Sequence, residues 1–127
     1  MRVAIRQALT MPHALPGKVA LVGFSLGGGE SLYYRSQWAD EVGFVDRLQV
    51  PVVVFAGGRD HFRDGCCTAD DDSKLQDAAK SAGKSFDLTV YPEASHDFAK
   101  GALNYAAKAY GDALQRTADA LKVCLAP

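Results

Sequence analysis

Three residues of this chain have the types and the placement for nucleophilic acyl transfer: Ser25, Asp60 and His96. A serine hydroxyl attacks a carbonyl efficiently when a base takes its proton, and the base needs an acid to orient it. Ser25 lies in Gly23-Phe24-Ser25-Leu26-Gly27-Gly28, directly after the apolar run Val19-Ala20-Leu21-Val22. The pattern G-x-S-x-G suits a sharp turn from strand to helix that lifts the serine Oγ above a sheet. Such a turn is strained, so its neighbours two residues away must be small. Gly23 and Gly27 carry no Cβ there, and Gly28 adds a third glycine. The Leu26 N–H then stands where a tetrahedral oxyanion would need a donor.

Asp60 follows the run Val50–Ala56 and the pair Gly57-Gly58, just past a strand's C-terminal end. Sites in open α/β sheets form at that edge. His96 follows the third apolar run, Phe86–Tyr91, on the loop Pro92–Phe98. The three residues are 35 and 36 positions apart, each after a different run, in the order serine, acid, histidine. His13 precedes the serine, and His61 is adjacent to Asp60 and fits a loop or rim. Asp64 and Asp70–Asp72 read as solvated or capping residues. Phe24, Tyr33, Trp38, His61, Phe62 and Phe98 are the candidates to line a substrate pocket.

These residues need a scaffold. Lys18–Val22 and Val50–Ala56 are predicted strands, because continuous apolar runs suit parallel strands buried on both faces, and Phe86–Tyr91, which alternates, is the third. Helices are predicted over 2–9, from Leu26 to about Gln37, and over 73–82, with Ser73 and Gln76 as capping box and Gly83 as stop. The last helix is carried by Leu103, Ala107, Tyr110, Leu114, Thr117 and Leu121 at steps of three and four. Alternating strands and helices give an α/β class with three layers, α/β/α, around a short, mostly parallel sheet.

Composition agrees with one folded unit over residues 1–127. The chain is 48% apolar and 23% charged, with a formal net charge of −1. That balance gives no basis for nucleic acid or an anionic membrane as partner. No apolar run approaches the ~18 residues of a membrane span. Arg6, Gln7 and His13 interrupt any signal-peptide core, so the default location is cytoplasmic. Cys66, Cys67 and Cys124 are an odd count without a CxxC pair or the spacing of a zinc site, so no metal is expected.

Gly-Phe-Ser-Leu-Gly-Gly, Phe-Ala-Gly-Gly-Arg-Asp-His-Phe and Tyr-Pro-Glu-Ala-Ser-His-Asp-Phe resemble the signature segments of the dienelactone hydrolase family, within the α/β-hydrolases. The resemblance covers residues from about 15 to 122. It implies hydrolysis of short-chain carboxylic esters or lactones with no cofactor, Ser25 as nucleophile, Asp60 as acid and His96 as base. The founding members use cysteine where this chain has Ser25, so the chain looks more like the family's general carboxylesterases.

Only 24 residues precede Ser25, so the resemblance is to the C-terminal half of the usual fold, a truncated α/β-hydrolase lacking the N-terminal strands. The nucleophile's strand would then be a sheet edge open to pairing. A second copy is expected to cover it, giving a homodimer or larger homo-oligomer. The second oxyanion donor would also be lost, so weak activity is expected. A non-catalytic remnant serving as a binding or assembly module is the alternative reading.

Overall fold

The computed structural model describes residues 2–12, 14–16, 18–25, 27–28, 45, 48–62 and 68–126. Its elements in chain order are α1 (Arg2–Leu9), β1 (Val52–Gly57), α2 (Ala69–Ser81), β2 (Phe86–Tyr91) and α3 (Ala107–Leu125).

Strand β1 starts after Pro51, whose missing N–H cannot join a ladder. The Val52 N–H donates to the Ser85 carbonyl at 3.0 Å, and β1 then runs parallel to β2 with Val52 opposite Phe86 and Gly57 opposite Tyr91. Strand alternation divides the two-stranded sheet into two faces. Val52, Val54, Phe86 and Leu88 point to one face, where Leu75, Ala78, Ala79 and Ala82, from α2 and its C-cap, pack with Val45 and Leu48. Burying Phe86 and Leu48 stabilises this core by about 2–3 kcal/mol each. On the other face, Tyr91 donates from its hydroxyl to Asp112 of α3 at 2.8 Å. Ala109 and Ala113 are the buried residues of α3, small enough for the helix to approach closely. The result is the three-layer α/β/α arrangement expected from the sequence, built on a parallel sheet.

Three boundaries differ from the sequence reading. Helix α2 begins at Ala69, capped by Thr68, whose Oγ1 accepts from the Asp71 N–H at 3.2 Å and donates to Asp71 Oδ2 at 2.7 Å. Ser73 is inside the helix and donates to the Ala69 carbonyl at 2.8 Å. Thr68 as cap, with Asp70 and Asp71 at the positive end of the helix dipole, accounts for the earlier start. Helix α3 begins at Ala107, and Leu103 is fully exposed on the loop before it.

The third difference concerns the run before Ser25. Residues 18–24 adopt no strand, and among the described residues the sheet has two strands where three were expected. A strand persists only where its N–H and C=O groups pair with a neighbour. Among the described residues no strand is paired with Val19–Val22. Leu21, Val22 and Phe24 are exposed as a consequence. Of the expected elbow helix, Gly27 and Gly28 are helical, and the rest lies outside the described residues. Among the described residues no helix is long and apolar enough to cross a membrane.

Candidate active site

Two loops leave the C-terminal ends of β1 and β2 and are stitched together by their backbones. Gly58 N–H donates to the Tyr91 carbonyl at 2.8 Å, and Arg59 N–H donates to the Ala94 carbonyl at 2.9 Å. Gly57 and Gly58 make this approach possible. A Cβ on Gly57 would stand 2.6 Å from the Ser95 carbonyl oxygen, and one on Gly58 would stand 2.8 Å from the Pro92 Cα. Arg59 and Glu93 join the same loops by an exposed ion pair.

The stitching brings His96 over Asp60. His96 Nδ1 and Asp60 Oδ2 are 2.7 Å apart. A carboxylate only accepts, so Nδ1 carries the proton and Nε2 is left as acceptor. Asp60 Oδ1 accepts the Phe62 N–H at 3.0 Å. Asp60 is 8% exposed and is the sole buried charged side chain among the described residues. A buried carboxylate is tolerated only when its oxygens are satisfied, and both are. Asp97, with φ 53°, lets the chain turn immediately after His96. Asn104 Nδ2 donates to the His96 carbonyl at 2.9 Å from across that loop.

Ser25 completes the arrangement. Its Oγ donates to His96 Nε2 at 2.7 Å. Its φ of 50° lies in the left-handed region, a conformation that costs a non-glycine residue roughly 1–3 kcal/mol. Gly27 and Gly28 N–H groups donate to the Phe24 and Ser25 carbonyls at 2.9 Å each, closing the turn. A Cβ on Gly23 would overlap the Gly27 carbonyl, so the glycine is required there. Among the described residues nothing lies within 4 Å of a Cβ on Gly27.

The structure thus brings Ser25, His96 and Asp60 into one hydrogen-bonded chain, in the order that acyl transfer uses. Leu26, Tyr33, Trp38, Cys66 and Cys67 lie outside the described residues. Phe24, on the turn before Ser25, and His61, on the loop after β1, are exposed. Phe98 packs edge-on against Tyr91 with ring centroids 5.5 Å apart. Phe62 lies flat on the His96 imidazole, with centroids 4.2 Å apart and planes 8° apart. Asn104 is the site neighbour that sequence reasoning missed; no spacing or motif signals it. Burial and then the Asp60 charge push the half-buried Asp72 carboxyl up to about 6; of the solvated or capping places expected for Asp70–Asp72, it takes one in the first turn of α2. Among the described residues no group of three or more His, Cys, Asp or Glu side chains could hold a metal ion.

A serine elbow, an acid after β1 and a histidine after β2 on a parallel α/β scaffold define an α/β-hydrolase-type unit. The chain matches the model of the dienelactone hydrolase family over residues 1–125, and it belongs to that family. It is similar to the crystal structure of a candidate dienelactone hydrolase from Klebsiella pneumoniae subsp. pneumoniae MGH 78578. That similarity has 26% identity and a TM-score of 0.54, over 61% of this chain and 31% of the other. The chain therefore spans about a third of the relative it matches. No curated protein matches it.

Proposed function

We propose that the chain is a serine hydrolase that cleaves short-chain carboxylic esters or lactones through an acyl-enzyme. The carrying observation is the pair of 2.7 Å contacts that link Ser25 Oγ to His96 and His96 to Asp60. Family membership supports a hydrolase, and the geometry supports the serine route.

In this reading His96 Nε2 takes the hydroxyl proton as Ser25 Oγ bonds to the ester carbonyl carbon. The carbonyl becomes an oxyanion, for which the Leu26 N–H is the proposed donor. Asp60 holds the imidazole and offsets the positive charge that forms on it. The tetrahedral centre collapses, the bond to the alkoxy oxygen breaks, and His96 gives its proton to the leaving alcohol. Water, deprotonated by His96, then attacks the acyl-enzyme; the carboxylic acid leaves and the Ser25 hydroxyl is restored. No cofactor is needed for these steps.

The exposed Leu21, Val22 and Phe24 support a companion proposal, that a second copy covers the elbow segment. Light scattering at micromolar concentration should then give at least a dimer, and a monomer contradicts it. The exposed elbow run is also the observation that favours the non-catalytic alternative. Hydrolysis of acetyl and butyryl aryl esters separates the two: the hydrolase reading requires turnover that Ser25→Ala removes. Equal rates for the two proteins would favour the remnant.

A further inference from the structure

We propose that Phe62 is a positioning residue for His96, acting through the imidazole stacked on its ring; this rests on the hydrolase reading above. Two hydrogen bonds hold that imidazole, one at Nδ1 to Asp60 and one at Nε2 to Ser25. They sit at opposite ends of the ring and fix its rotation within its own plane. They leave free a rocking motion about the line that joins the two nitrogens. A flat ring 4.2 Å away and 8° from parallel blocks that motion on one side.

Phe62 is tied to both partners at once. Its backbone N–H donates to Asp60 Oδ1 at 3.0 Å, while its side chain covers His96. Any shift of the acid loop therefore moves the acid and the wall behind the base together. Phe62 is 42% exposed, so core burial does not explain the aromatic residue. The ring face is also the negative side of its quadrupole, and it favours the imidazolium that forms when His96 takes the serine proton. Rocking of the base by a few tenths of an ångström matters, because proton transfer and attack require near-contact geometry.

The test compares Phe62→Leu, which keeps apolar bulk without a flat face, with Phe62→Tyr, which keeps the face. The readouts are kcat and KM on an acetyl aryl ester and the rate of Ser25 labelling by a fluorophosphonate. Phe62→Leu is expected to lower kcat and labelling rate by about tenfold with KM unchanged. Phe62→Tyr should restore both to within about twofold of the parent. Independently of turnover, proton NMR should find the His96 ring protons shielded in the parent and moved downfield in Phe62→Leu, with His96→Ala providing the assignment. Equal labelling of parent and Phe62→Leu overturns the positioning role alone. So does a loss confined to KM, which would make Phe62 a substrate wall, or an unmoved His96 resonance. A parent chain that neither labels nor turns over ester overturns the hydrolase reading, and the positioning role with it.

Discussion

The acid and base and the nucleophile are held in different ways. Asp60 and His96 stand on loops rooted in paired strands and tied together by two inter-loop backbone hydrogen bonds. Ser25 stands on a turn whose preceding run pairs with no strand among the described residues and whose Leu21, Val22 and Phe24 are exposed. Yet its Oγ lies as close to His96 as Asp60 does, 2.7 Å in each case. The lesson is that an elbow's internal geometry can aim a nucleophile without a strand in register behind it. What the sheet would add is resistance to displacement.

Removing the chemical groups themselves is expected to have the largest effects. Ser25→Ala should lower kcat for ester cleavage by roughly 10⁶-fold, and Asp60→Asn, which upsets the histidine tautomer, by roughly 10⁴-fold. Steady-state rates on one aryl ester check both. A Ser25→Ala loss smaller than that of Asp60→Asn would mean another group does the attacking.

A matched pair of glycine substitutions breaks the comparison more sharply. Gly57→Ala drives a Cβ into the Ser95 and Ala94 carbonyls, within the stitched loops, and should lower stability by about 3 kcal/mol. Gly23→Ala drives a Cβ into the Gly27 carbonyl, within the elbow alone. It should cost on the order of 10²-fold in turnover while leaving the urea midpoint nearly unchanged. Urea titration and kinetics on both proteins decide it. Equal loss of stability in the two would mean the elbow is part of the cooperative unit after all.

The smallest effect concerns Asp72. Its folded value of about 6 lies above that of an unfolded aspartate, ~3.9. The folded state therefore binds this proton more tightly, and the penalty for ionising Asp72 is absent at low pH and complete above pH 6. Asp72→Asn should gain on the order of 1 kcal/mol at pH 7, after allowance for solvent screening, and nothing below about pH 4. Denaturation at the two pH values measures it; an equal gain at both would remove the linkage.

Much of the site was legible because each residue follows its own apolar run. β1, β2, α1 and the three-layer arrangement also follow from pattern. The third strand does not, because Val19–Val22 has the composition of a strand but composition cannot supply a hydrogen-bonding partner. Helix α2 starts four residues before Ser73, since the Ser73 and Gln76 spacing imitates a cap while Thr68 with Asp71 makes one. Gly57 and Gly58 were visible as a glycine pair, but their purpose, the crossing of a second loop, depends on a contact distant in sequence. Phe62 was legible as a site residue and not as the wall of the imidazole, because stacking needs two rings placed in space.

The central claim is that Ser25, His96 and Asp60 work as one unit. Intact-mass detection of a fluorophosphonate adduct, with the modified residue mapped by peptide sequencing, tests it most directly. In that reaction Ser25 Oγ bonds to phosphorus and fluoride leaves, which requires an activated hydroxyl. The account expects one adduct per chain, on Ser25, and none in His96→Ala. Folded parent protein that stays unmodified, or labels equally without His96, would contradict it.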